Sequence, residues 1–293
     1  MKNMGRKILI IVMLVMSSLF LLAGCSSENA KQASSSDSLQ STLAKIKEKG
    51  VLTVGSSNDA PFAYINTKNN KFSGVDADII TEIAKRLGIP KVQMKHIPFE
   101  NLLMALDNGS VDMVTDAMYI KPERLQKALF TNIWYKEGEA VVVKKDSPIK
   151  SKADLKGKVI GGQKGVTFLD TAEKWKKNGE VKDVKIFNSQ AELMMAVSTG
   201  KIDACITDGI VAGYTIKQNP SLGLWILSPY TPEAAGKIGA AIRFGDKDLL
   251  NAVNGELEKM RADGSLKKIL QKYGLADDYM VLSADAAKTK NIK

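Results

Sequence analysis

Apolar and polar positions fall along the chain in blocks whose period changes from element to element. The run Val51-Leu52-Thr53-Val54-Gly55 is apolar and bounded by turn formers, the pattern of a buried strand, and the residues before it read as a short helix ending at Gly50. After a polar loop over 56–71, Ile79, Ile80, Ile83, Ala84 and Leu87 recur at helical spacing, and the stripe stops at Gly88 and Pro90. A strand over 92–97 follows, then a helix with Leu102, Leu103 and Leu106 on one face that stops at Asn108-Gly109, then a strand over 111–115. Short connections in this order predict a largely parallel β-α-β-α-β sheet. The second half repeats the alternation, with strands over 139–144, 159–162, 184–187 and 204–207 and helices over 167–177 and 191–198. A strand over 238–243 and helices over 247–260 and 266–273, separated by Asp263-Gly264, complete the pattern, and the tail from Ala276 reads as a loose end. Met104-Ala105-Leu106 ahead of Gly109-Ser110-Val111-Asp112 echoes Met195-Ala196-Val197 ahead of Gly200-Lys201-Ile202-Asp203. Two lobes of similar build would produce this echo, and so would chance within a common helix-turn-strand pattern.

The N-terminus changes the picture from a cytosolic to an exported protein. Lys2, Arg6 and Lys7 precede an uncharged run over 8–22 that is apolar but for Ser17-Ser18, short for a spanning helix and suited to a signal peptide over 1–24. The run ends in Leu22-Ala23-Gly24-Cys25, which looks like a bacterial lipobox, so Cys25 is expected to be lipidated and to become the first mature residue. A free transmembrane anchor with a chance cysteine behind it is the other reading of the same run. Residues 25–40 carry almost no apolar side chain and read as the lipidated cysteine followed by a flexible tether.

Composition then excludes several classes. With 293 residues and 44% hydrophobic content the chain can bury a sizeable core, as one large domain or as two lobes. The net charge of +10 arises from lysines interspersed with acids rather than from a basic block, so it reads as general surface charge and no nucleic-acid partner is expected. Once Cys25 is lipidated only Cys205 remains, which leaves no intramolecular disulfide. His96 is the sole histidine, so no metal site, cofactor or histidine-based triad is expected. His96 itself reads as an ordinary strand or surface residue.

At this point the residues resemble the extracellular family 3 solute-binding proteins, over nearly all of 43–275. The stretch Gly74-Val75-Asp76-Ala77-Asp78-Ile79 to Ile83-Ala84-Lys85-Arg86-Leu87 looks like the family signature. Further matches follow in order: Met118-Tyr119-Ile120-Lys121-Pro122-Glu123-Arg124, Phe130, Trp134-Tyr135, Asp154-Leu155-Lys156-Gly157-Lys158, Gly165 and Thr207-Asp208. The resemblance implies an α/β protein of the type II periplasmic-binding-protein fold, with two α/β lobes, a ligand cleft and two hinge crossings near 135–138 and 236–239. Lobe 1 is then discontinuous, 41–137 plus 239–293, and lobe 2 is 138–238. It also implies an amino-acid-like solute and an ABC permease as partner; with the lipobox, a lipid-anchored monomer on the outer face of the cell membrane or its periplasmic side is expected, and with no nucleophile-base pair or metal site, no enzymatic activity.

Carried over residue by residue, Arg124 matches the family arginine that clamps an α-carboxylate, a task suited to the planar guanidinium; a surface arginine on the helix opened by Pro122 is its alternative. Asp208 matches the acid that accepts from an α-amino group, and it also stands where a helix N-cap would. Thr167 falls where the family presents hydroxyl and N–H groups to the carboxylate. Three positions depart from the family pattern: Tyr119 replaces a small hydroxyl residue, Val75 replaces a stacking aromatic, and Asp59 precedes Ala60-Pro61-Phe62. The set Asp59, Phe62, Tyr119 and Arg124 resembles the ectoine-binding members, in which an acid, aromatic faces and an arginine surround a cyclic zwitterion. Aromatic faces favour a cation by about 0.5–2 kcal/mol each. Phe62 and Tyr119 are equally compatible with an ordinary core, and Asp116 with either a pocket wall or a solvated loop. Two other classes stay open on these residues: a dehydratase-like enzyme on the same fold, using Asp59 or Asp116 as its acid, and a ligand-sensing receptor or adhesin.

Overall fold

The structure, a computed structural model, describes residues 41–275 and 288–289. The expected signal peptide, Cys25 and the tether lie outside the described residues, as do residues 276–287 of the tail. The first helix, Thr42–Lys49, is capped by the Ser41 side chain and closed by Gly50, whose positive φ of 70° glycine adopts without strain.

Strands β1 (Val51–Ser56), β4 (Lys91–His96) and β5 (Met113–Val114) run parallel. Strand β14 (Ala241–Ile242) pairs antiparallel with both β5 and β6 (Leu129–Phe130), in the order β4-β1-β5-β14-β6. A second sheet has the order β10-β9-β11-β8-β12, from β8 (Glu139–Lys144), β9 (Val159–Gln163), β10 (Asp183–Phe187), β11 (Ala204–Asp208) and β12 (Leu224–Ile226). Each sheet with its helices forms one lobe. The chain passes between them through an antiparallel ribbon in which β7 (Tyr135–Glu137) pairs with β13 (Gly236–Ile238).

Packing follows the periodicities that predict it. The helix Val75–Arg86 lays Ile79, Ile80 and Ile83, all fully buried, against the first sheet. Burying an isoleucine stabilises by about 1.5–3 kcal/mol, so this stripe anchors the helix whose first turn holds the carbonyls of Pro61 and Phe62. In the second lobe Phe168, Ala172 and Trp175 of the helix Thr167–Lys177 play the same part. The two echoed segments occupy like places: the helices Leu102–Asp107 and Gln190–Ser198 each lead through a glycine with φ near 75° (77° at Gly109, 73° at Gly200) to β5 and β11, and Met104 and Met195 are both exposed.

Several expectations shift. The strand expected over 238–243 is broken, because Ile238 pairs with β7 in the crossing ribbon while Ala241 and Ile242 pair with β5 and β6. The expected loop over 56–71 contains the start of a hairpin, β2 (Tyr64–Asn66) with β3 (Lys71–Ser73), and Gly209–Gln218 is a helix that the sequence pattern did not announce. Among the described residues no helix is long and apolar enough to cross a membrane.

Candidate functional site

The carboxyl ends of β1, β9 and β11 face one another across the gap between the sheets, and the segments leaving them enclose a narrow cavity of about 20 Å³ that the lining side chains nearly fill. Asp59, Phe62, Tyr119, Arg124, Thr167 and Asp208 all line it, together with Phe99, Asp116, Gln163, Phe168 and Gln190. A larger groove outside, containing Met104, Lys127 and Phe244, shares Phe99 and Arg124 with this cavity and forms its outer approach.

Val75 is the exception and corrects the sequence expectation. It is fully buried in the core, not on the cavity wall. The reason is local: Gly74, at φ 126°, brings the helix start so close to the 61–62 loop that an added Cβ would sit 2.1 Å from the Phe62 carbonyl. The Val75 and Asp76 N–H groups then donate to the carbonyls of Pro61 and Phe62 at 2.8 and 2.9 Å. Val75 therefore holds the Asp59–Phe62 loop by its backbone.

Arg124 is only 8% exposed, which removes the surface-arginine alternative. Pro122 opens its short helix, and the guanidinium lies 5.3 Å over the Phe99 ring, donating to the carbonyls of Tyr119 at 2.9 Å and Gly165 at 3.0 Å. Gly165 belongs to the other lobe, so this side chain ties the lobes together. Burial lowers its pKa to about 10, partly opposed by Glu123, Asp170 and Asp208, so it stays a cation at neutral pH.

Asp208 ends β11 and occupies the N-cap position of the helix Gly209–Gln218, yet its side chain makes no cap bond. It accepts instead from Gln190 Nε2 at 2.8 Å, while the Gln190 oxygen accepts from Thr207. Burial raises its pKa, against the pull of Glu137, Arg124 and Gln190. Glu137, on the crossing strand, is held well above the carboxylate range by burial and by Asp208.

The aromatic residues serve core and cavity at once. Phe62 stacks on Tyr135 with centroids 6.5 Å apart, and Tyr119 meets Phe168 edge-on at 5.4 Å while its hydroxyl donates to the Glu137 carbonyl at 3.1 Å. The Tyr119 ring lies flat on Gly236 of β13, where a Cβ would come within 2.3 Å of it. Behind Tyr119, Asp76 accepts from Tyr135 Oη at 2.6 Å and from the Ala117 N–H at 2.8 Å, which holds Ala117 at φ 47°. Burial nevertheless raises Asp76 to about 6.

Two lining residues carry polar atoms with no partner: Gln163 with both amide atoms, and Thr167 with its hydroxyl. Orphaned buried polar groups cost about 1–3 kcal/mol each, so the cavity is chemically incomplete without a polar guest. The N-terminus of the helix Thr167–Lys177 opens on it and favours an anionic group there. Gln163, Gln190, Phe99 and Phe168 were missed from the sequence. Gln163 alone carried a signal, a polar residue ending the apolar run of β9.

The cleft is closed. Lys121 Nζ meets Asp170 at 2.9 Å, Lys164 Nζ meets Glu100 at 3.3 Å, and the hydroxyls of Tyr64 and Tyr214 lie 3.2 Å apart, each pair spanning the two lobes.

Two α/β lobes joined by a two-stranded crossing, with a small polar-aromatic cavity at the strand ends between them, define the class of type II periplasmic-binding proteins. The chain belongs to the bacterial extracellular solute-binding proteins, family 3, whose pattern matches residues 52–276. It is 29% identical to the ABC transporter glutamine-binding protein GlnH of Bacillus subtilis (strain 168), over 92% of this chain and 97% of that protein. It is 32% identical to the ABC transporter arginine-binding protein 1 of Escherichia coli (strain K12), over 73% and 86%. Among solved structures, an ancestral arginine-binding protein bound to arginine superimposes with a TM-score of 0.69 at 37% identity, covering 76% of this chain and 98% of that one.

Proposed function

We propose that this protein is the extracytoplasmic binding component of an ABC importer, which captures an amino-acid-like zwitterionic or cationic solute by lobe closure and delivers it to a membrane permease. The reading places the lobes at 41–137 plus 239–293 and at 138–238, with a lipid on Cys25 tethering a monomer to the membrane. The observation that carries it is the meeting, in one closed cavity, of a buried arginine and a buried aspartate with the unpartnered Gln163 and Thr167.

Arg124, the Thr167 hydroxyl and the helix N-terminus match an α-carboxylate in chemistry, and Asp208 matches an α-ammonium, once the lobes part to admit the solute and close around it. Phe62, Phe99, Tyr119 and Phe168 supply the apolar faces for the rest of the solute. Contacts from both lobes favour the closed state, which is the shape presented to a permease. Relatives named for binding glutamine and arginine support amino-acid capture over catalysis. The ectoine-like reading rests on Asp59, Phe62, Tyr119 and Arg124, so ectoine belongs among the probes.

A thermal-shift screen of the purified protein against the common amino acids and ectoine tests the proposal. A ligand at 100 times its Kd stabilises the folded state by about 2.7 kcal/mol, which at about 2–4 °C per kcal/mol for a chain of this size raises Tm by roughly 5–11 °C. A shift with one or a few amino acids is expected; a flat response to all of them contradicts the assignment.

A further inference from the structure

We propose that Ser57, Asp59 and Asp116, with Ser56 behind them, form a proton-exchange subsite that takes a cationic nitrogen of the bound solute's side chain in place of a proton. The inference rests on the proposed function, and its foundation is a count of hydrogens. Ser56 Oγ lies 2.5 Å from the Ala63 carbonyl and 2.8 Å from Asp116 Oδ1, while accepting from the Asn58 N–H at 2.9 Å. Ser57 Oγ lies 2.8 Å from Asp59 Oδ2 and also bonds Asp116 Oδ2, which accepts the Ser57 N–H at 2.9 Å as well. Each hydroxyl supplies a single hydrogen. These oxygen pairs therefore need two more, and the two carboxyl groups are the remaining source. One head-to-tail chain satisfies every contact: Asp59 donates to Ser57, Ser57 to Asp116, Asp116 to Ser56, and Ser56 to Ala63.

The surroundings agree with neutral carboxyls. Asp116 is 3% exposed. The charged groups acting on the pair are each other and, from β11 in the other lobe, Asp208. Arg124 acts on Asp208 and gives two of its five N–H groups to the Tyr119 and Gly165 carbonyls; Glu137 and Tyr119 also face Asp208. Burial, then Asp208, pushes Asp59 up to about 7, against the opposing pull of Ser57 and Gln163; burial and Asp59 hold Asp116 well above the carboxylate range.

An independent observation points to a guest at this spot. Gln163, 2% exposed, lines the same cavity close enough to Asp59 to lower its pKa, yet neither of its amide atoms makes a well-formed hydrogen bond. A nitrogen bearing several hydrogens, an ammonium or guanidinium, placed between them donates to Asp59 and to Gln163 Oε1 together. Its positive charge makes the Asp59 proton unfavourable; the proton leaves to water, and the net charge of the cavity is unchanged. A neutral amide side chain leaves the proton in place. Ser56, Ser57, Asp59 and Asp116 all come from the β1 and β5 ends of the same lobe, so the chain of hydrogen bonds survives opening of the cleft.

The test is calorimetry of the purified protein with L-arginine and with L-glutamine at pH 6, in buffers of different ionisation enthalpy. L-glutamine subtracts any proton released at Asp208 by the α-ammonium. The expected result is about one more proton released per L-arginine than per L-glutamine, with affinity for L-arginine falling up to about tenfold per pH unit below pH 7 and that for L-glutamine nearly flat. Asp59→Asn should abolish the extra release; should that variant fail to fold, the wild-type comparison decides alone. Equal release for the two probes, or binding of L-glutamine without L-arginine, overturns the inference. If neither probe binds, the choice of amino acid ligand fails first, and carboxyl 13C titration of the unliganded protein still decides: an aspartate titrating near pH 7 and lost in Asp59→Asn supports the subsite, whereas Asp59 and Asp116 both ionised at pH 6 refute it.

Discussion

Replacing Arg124 by alanine removes the one cation in the cavity wall and the bond that reaches Gly165 across the cleft. A bidentate grip on a carboxylate consists of two charge-assisted hydrogen bonds at about 1.5–3 kcal/mol each, so roughly 3–6 kcal/mol of binding is at stake. That corresponds to a loss of about 10²- to 10⁴-fold in affinity. Stability moves less, because deleting a desolvated charge offsets the two carbonyls, of Tyr119 and Gly165, left without this donor. Arg124→Lys keeps the charge but not the fork and should fall between wild type and alanine. The assay is calorimetric titration with the tightest amino acid from the screen, with a melting curve of each unliganded variant as control. Alanine binding within threefold of wild type, on a folded protein, would refute the clamp.

Other consequences are open to measurement. Gly236→Ala places a methyl group into the Tyr119 ring, so it should displace that ring, cost about 1–3 kcal/mol of stability and weaken solute binding; unchanged affinity would show that Tyr119 only packs. Asp59 and Asp76, raised to about 7 and about 6, contribute stability that is complete below the ordinary aspartate range and is lost as pH rises through those values. The unliganded melting temperature should therefore fall between pH 5 and pH 8, and less so in Asp76→Asn; a rise over that interval contradicts the burial argument. Lys121→Ala deletes a cross-cleft pair whose acid partner, Asp170, is largely exposed, so affinity should drop by less than about 1 kcal/mol and the difference should vanish at high salt.

Much of the frame was legible because it rests on local rules. The helix Thr167–Lys177 and the strand Glu139–Lys144 have the bounds that periodicity and turn residues predict. The helix Gly209–Gln218 escaped because Gly-Ile-Val-Ala-Gly-Tyr-Thr-Ile mixes glycines with β-branched residues, and packing of Val211 and Ala212 overrides that propensity. Six of the candidate residues meet in one cavity because strand ends converge there, a property of topology that ordered motifs capture. Val75 failed the same logic: motif position places it at the helix start, but the close approach of Gly74 to the 61–62 loop turns its side chain to the core. Gln190 carries no sequence signal and Gln163 only that of a polar residue ending β9, and their place in the cavity appears once β9 and β11 lie side by side.

The central claim is that a free α-carboxylate and α-ammonium are held by Arg124 and Asp208 inside the closed cleft. Its most direct test compares, by calorimetry, the tightest-binding amino acid with its decarboxylated amine and its N-acetyl derivative. The account predicts that each derivative loses at least about 3 kcal/mol, roughly 10²-fold in affinity. Derivatives that bind as well as the parent amino acid would contradict it.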